Sequence, residues 1–78
     1  MDDQDRFLDR ARELTAEHAN LDPTDMYVVW FCKTLQNWKA LVSTDELSGI
    51  YYEVTHNGDK HETYIDCYTK SFNAAIPD

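Results

Sequence analysis

The sequence predicts an α+β fold: an N-terminal helix packed on a four-stranded antiparallel sheet of two hairpins, with a short C-terminal helix or tail. Three observations carry this expectation. Residues 3–20 have a helical apolar period, and residues 26–68 read as short strands separated by turn residues. The third is Asn57-Gly58, the strongest short hairpin signal in the chain. With 78 residues, the chain is expected to form a single domain, residues 1–78.

In the helix, Phe7, Ala11, Leu14 and His18 follow i, i+4, i+7, i+11, with Leu8 and Ala19 beside them. Asp2 or Asp3 can cap its start, Asp5 favours the helix dipole, and Asp2 and Arg6 form an i, i+4 pair. Asn20 supplies the C-terminal turn and Pro23 forbids continuation.

The first strand is expected over residues 26–35 and the second over 38–44, joined by a Gln36-Asn37 turn. That turn pairs Leu35 with Trp38, Phe31 with Val42 and Cys32 with Leu41. After the loop "STDELSG", strands three and four are expected over 50–56 and 61–68. A two-residue loop between them would set Glu53 opposite Glu62, a like-charge penalty; a four-residue loop over 57–60 avoids it. Both keep the same residues on the same face. In the tail, Tyr68, Phe72, Ala75 and Ile76 would line one side of a helical turn ended by Pro77.

"MYVVWFC" is apolar without interruption, the mark of a strand buried on both faces. A chain this short buries only roughly 60–65% of its unfolded surface, so covering both faces is difficult. Alternation puts Val29, Phe31, Leu35, Trp38, Ala40, Val42, Ile50, Tyr52, Val54, Ile65 and Cys67 on a face for the helix to cover. Lys33 falls there too, and its ammonium must reach the rim. The other face carries Val28, Trp30, Cys32, Leu41, Tyr51, Glu53, Thr55, Glu62, Tyr64 and Asp66, aromatic and acidic together. Its cover is left open among the chain's own tail, a second copy and a foreign partner. The candidate partner-binding residues are Trp30, Leu41, Tyr51, Glu53, Glu62, Tyr64 and Asp66, since Trp and Tyr anchor interfaces. Asp9, Glu13 and Glu17 form a second acidic surface on the helix, ordinarily a solvated face.

Fifteen acidic residues against seven basic ones give a net charge of −8. That charge repels nucleic-acid phosphates and anionic membranes and suits a basic protein surface. Direct nucleic-acid binding is not expected. Nor is a membrane span, for no apolar run is long enough. The acidic start "MDDQDRF" has no apolar signal core, so a cytosolic protein is expected. Cys32 and Cys67 are expected as buried small hydrophobes without a disulfide.

No phosphate-cradling, zinc-protease, nucleophile-elbow or calcium-loop pattern occurs. Cys67 and His61 are about 20 Å apart by strand rise, too far for nucleophile and base. His56, His61 and Asp59 fall short of a closed metal site, and Glu53 with Glu62 reads as a solvated acidic surface rather than a general-acid pair. No enzyme, metal or cofactor is expected.

Finally, "FLDRARELTAEH", "YVVWFCKTLQNWKALVST" and "GIYYEVTHNGDKHETYIDCYTK" with the closing "IP" resemble a family of small phage and prophage proteins of Gram-positive bacteria, a domain of unknown function. Members often have a longer connector where this chain has "LDPTD". The resemblance implies a phage origin and a place in the host bacterial cytoplasm, and it transfers no catalytic residue. It leads to a binding protein, an inhibitor of a host nucleic-acid-directed defence nuclease such as a CRISPR effector or restriction enzyme. Carboxylates would take the place of phosphates against a basic channel. The alternative is an accessory or structural phage protein that closes a homodimer through the second sheet face.

Overall fold

A computed structural model describes residues 2–71 and 74–77 of the protein. Helix α1 (Asp3–Ala19) and a 3-10 turn (Pro23–Asp25) precede β1 (Met26–Thr34), β2 (Asn37–Thr44), β3 (Ile50–Asn57) and β4 (Glu62–Thr69). The strands form one antiparallel sheet in the order β1-β2-β3-β4. Short connections enforce this meander, because neighbours joined by a few residues must pair directly. The fold is α+β, one helix on an open four-stranded sheet.

Asp2 caps α1, its carboxylate accepting from the Asp5 N–H at 2.9 Å. Asn20 ends the helix in the left-handed conformation, and the Leu21 N–H returns to the Ala16 carbonyl at 2.8 Å. Arg6 pairs with Asp3 at 3.9 Å rather than with Asp2. The buried stripe also differs from the expected one. It runs through Ala11, Thr15 and Ala16, with Phe7, Leu8 and Ala19 alongside, while His18 is exposed. Small side chains let the helix approach the sheet closely. Thr15 tolerates burial because its hydroxyl donates to the Ala11 carbonyl at 2.8 Å.

The connector is short but well tied. Asp22 accepts from the Thr24 N–H and hydroxyl at 3.0 and 2.8 Å, and Asp25 accepts from the Asp22 N–H at 3.1 Å. The Thr24 bonds hold the Asp22 carboxyl below its usual pKa. The chain thus reverses in a few residues and β1 begins at Met26.

β1 corrects the expected face assignment. Met26 pairs with Thr44 and Val28 with Val42, but Trp30 then pairs with Leu41, leaving Val29 as the extra residue of a bulge. Parity flips there. Val28, expected beside Trp30, packs against the core, and Val29, expected in the core, is 48% exposed. The turn is Leu35-Gln36 rather than Gln36-Asn37, since Thr34 pairs with Asn37. Leu35 therefore leaves the core, adopts φ 55° and is 85% exposed. Phe31 pairs with Ala40 and Cys32 with Lys39, a shift of two residues that preserves their faces.

β3 and β4 pair Asn57 with Glu62, so the turn is residues 58–61 rather than 57–58 or 57–60. The two hairpin turns meet at one end of the sheet, where the Gly58 N–H donates to the Gln36 carbonyl at 3.0 Å. A Cβ on Gly58 would lie 2.3 Å from that oxygen, which explains glycine here. Gly49, at φ 73°, closes the β2–β3 loop, and its carbonyl accepts from the Lys70 N–H at 2.8 Å.

The core comprises Met26, Ala40, Val42, Tyr52 and Val54 beneath Ala11 and Ala16. Both cysteines are free and exposed rather than buried: Cys32 is on the face opposite α1, and Cys67 is on the edge strand β4, beyond the strands over which the helix mainly packs. Phe31 and Lys33 are exposed on the helix side because only the Met26–Val28 end of β1 is covered. The Lys33 ammonium sits 5.0 Å from the Trp38 ring centroid. In the tail, Tyr68 belongs to β4 rather than to a helical turn, Phe72 lies outside the described residues, and residues 74–77 are exposed without regular structure.

Candidate functional site

The register builds the sheet face opposite α1 in rows. Tyr27 pairs with Ser43, Ser43 with Tyr51, and Tyr51 with Tyr68. The next row is Trp30, Leu41, Glu53 and Asp66, and the third is Cys32, Lys39, Thr55 and Tyr64. Glu62, beside Asn57, begins the same parity of β4. Trp30, Leu41, Tyr51, Glu53, Glu62, Tyr64 and Asp66 therefore share this face. Val28, assigned here from sequence, does not.

The face remains open. Trp30 and Tyr64 each expose 44% of their surface, Tyr27 and Tyr68 are exposed, and Leu41, Tyr51 and Glu53 are half-buried. Neighbouring side chains supply what cover there is; the described tail residues are themselves exposed. A shallow depression of about 370 Å³ lies against Cys32, Lys39, Thr55 and Tyr64.

Its electrostatics are uneven. Glu53 faces Asp66 across β3 and β4, a like-charge pair. Lys39 offsets it by pairing with Glu53 at 3.4 Å. Among the described residues Asp66 makes no ion pair. The Tyr64 hydroxyl donates to the Glu62 carboxylate, and that bond raises the Tyr64 phenol pKa. Three carboxylates thus alternate with aromatic rings, an arrangement able to meet cationic side chains while burying apolar area.

The turn histidines differ in setting. His56 bonds Thr63 through Nδ1 at 2.9 Å, whereas His61 sits in the turn at φ 54°. Among the described residues no His, Cys, Asp and Glu group is placed to hold a metal ion. Among the same residues no helix is long and apolar enough to cross a membrane. On α1, Asp9 pairs with Arg12 and Glu13 with Arg10, so that surface mixes both signs.

Sequence reasoning missed Tyr27 and Tyr68 on this face. Tyr68 was legible, since it continues the alternation of Tyr64 and Asp66. Tyr27 was not, because its side depends on the Val29 bulge.

No curated protein and no solved structure matches the chain. The match found is to a family model described as "Family of unknown function (DUF6275)", over residues 4–78. The chain belongs to that family.

Proposed function

We propose that the chain is a small acidic phage-encoded binding protein of the host bacterial cytoplasm, acting by contact with a host protein that carries a basic surface. The reading extends to inhibition of a host defence nuclease directed at nucleic acid, a CRISPR effector or restriction enzyme. One observation carries it: the face bearing Trp30, Tyr64, Glu53, Glu62 and Asp66 is left open by the only helix among the described residues. Open apolar patches mark interaction surfaces, and a net charge of −8 is drawn to the basic channel of a nuclease. Trp30, Tyr51 and Tyr64 would anchor the contact and the carboxylates would face Arg and Lys. No catalytic role enters this reading.

The test is affinity capture from Gram-positive host lysate with the wild-type chain and with Trp30→Ala, followed by nuclease assay of the captured protein. The expected result is a basic nuclease retained and inhibited by the wild type and lost with the variant. Recovery of no nuclease or other basic partner ends the reading. The second reading is an accessory or structural phage protein paired through this face as a homodimer, favoured by the exposed Trp and Tyr residues in its rows. Light scattering on the purified chain distinguishes it: a dimer that Trp30→Ala dissociates, with no nuclease captured, establishes the second reading.

A further inference from the structure

We propose that the groove between the first half of α1 and β2–β4, on the helix side of the sheet, is a binding site for a small aromatic anion. The groove encloses about 510 Å³. That lies within the roughly 300–1,000 Å³ of small-molecule sites. Ala11 and Val54 form its floor, and Phe7 and Trp38 its apolar wall. The two rings lie 5.5 Å apart between centroids and are inclined by 36°. Such a pair accepts a third ring in offset or edge-on contact.

The rim is what selects charge. Arg6 and Arg10, one helical turn apart, both line the groove, and His56 lines it from β3. Among the described residues Asp3 is the one carboxylate in the lining, so the two guanidinium groups outnumber it. Lys33 is not in the lining, but its ammonium is 5.0 Å from the Trp38 ring centroid and adds positive charge nearby. In a chain with fifteen acidic and seven basic residues, this gathering reverses the overall sign locally. A Debye length of about 8 Å in physiological salt screens the more distant acidic surface. That leaves Asp3 and Glu13, 3.9 and 3.8 Å from the guanidinium groups, as the acidic groups that matter here.

The existing partners of the two guanidinium groups are weak competitors. Arg6 meets Asp3 at 3.9 Å and Arg10 meets Glu13 at 3.8 Å, and all four side chains are well exposed. Exposed pairs of that length contribute little. A carboxylate or phosphate entering the groove gains bidentate, charge-assisted bonds to either fork. The Nδ1 bond to Thr63 at 2.9 Å orients the His56 ring and leaves Nε2 for the ligand. The site is on the opposite side of the sheet from Trp30, so it is independent of partner binding there.

The test is titration of the full chain with phenyl phosphate, followed by two-dimensional amide NMR, with inorganic phosphate and benzyl alcohol as controls. Phenyl phosphate is expected to bind saturably, shifting the amides of Arg6, Phe7 and Arg10 and the Trp38 indole N–H. Either control should bind at least roughly tenfold more weakly, since each lacks one half of the recognition. The double variant Arg6→Gln, Arg10→Gln should lose at least roughly tenfold in affinity while keeping its melting temperature, because both groups are exposed. Trp30→Ala should leave binding unchanged. Absence of saturable shifts overturns the proposal. So do shifts centred on Trp30 and Tyr64, full affinity in the double variant, or inorganic phosphate binding as well as phenyl phosphate.

Discussion

The two faces of the sheet use the same four strands, and the open one carries more aromatic rings, Tyr27, Trp30, Tyr51, Tyr64 and Tyr68 against Phe31, Trp38 and Tyr52, yet the helix side is the core and the other a surface. On the helix side, Ala40, Val42 and Val54 are fully buried under Ala11 and Ala16. On the other side, Leu41, Tyr51 and Glu53 occupy the equally central positions and are only half-buried. Composition separates them in part, since the open side carries Glu53, Glu62 and Asp66, and cover completes the difference. The edges teach the same lesson. Phe31 is on the helix side and Trp30 on the other, and both are exposed: Trp30 because the helix lies on the opposite face, Phe31 because α1 covers the Met26 end of β1 and not the Phe31 end. A small chain with one helix has a full core only where that helix lies.

Several changes test that contrast. The largest effect belongs to Met26→Ala, which removes a buried side chain from the helix side. It should destabilise the fold by about 2–5 kcal/mol in urea titration. A loss within error would mean the core lies elsewhere. Gly58→Ala comes next, since its Cβ would collide with the Gln36 carbonyl where the hairpin turns dock. About 1–3 kcal/mol is expected in the same titration.

Trp30→Ala is the sharpest discriminator of the faces. Its partial exposure limits the folding cost to below about 1.5 kcal/mol, while binding or dimerisation should weaken more. If thermal unfolding instead gives a loss of about 3–5 kcal/mol, Trp30 is core and the open face is not an interface. Asp66→Asn relieves the carboxylate facing Glu53. It should stabilise by about 0.2–1 kcal/mol in low salt, and the gain should shrink as salt is added.

The least visible effect at neutral pH belongs to Tyr52. Burial, reinforced by Cys67, raises its phenol above the usual 10.0, so the fold favours the neutral form. The unfolded chain ionises first. The stabilisation is complete below the unfolded pKa and is lost as pH rises from there through the folded pKa. Tyr52→Phe should therefore flatten the fall in stability above about pH 10, followed by circular dichroism. Tyr64, raised by the Glu62 bond but exposed, is a useful contrast: Tyr64→Phe should leave that fall in place.

Much of the site was legible because alternation is a local property. β2, β3 and β4 keep strict period two, so Leu41, Tyr51, Glu53, Glu62, Tyr64 and Asp66 fell on one face even though both hairpin turns were misplaced. Each misplacement shifted the pairing by an even number of residues, which moves partners without moving faces. Val28 and Val29 failed for the opposite reason. A single extra residue inverts parity, and in an unbroken apolar run no polar side chain marks where it is inserted. The helix stripe erred by one position because Thr15 counts as polar in a periodic pattern, whereas its hydroxyl is satisfied within the helix. The basic groove had a partial signal in Arg6 and Arg10 flanking Phe7, but His56 and Trp38 join them only through the packing of the helix on the sheet.

The sequence by itself determined the α+β class, the caps of the helix, the number of strands and the mixed aromatic and acidic character of one sheet face. Those follow from periodicity, turn chemistry and charge, which neighbours along the chain settle among themselves. Only the tertiary structure decided the bulge at Val29, the docking of Gly58 on Gln36, the exposure of both cysteines and the groove beneath Arg6 and Arg10. Each depends on where one helix rests on four strands, and residues far apart in the chain have to meet before that position exists.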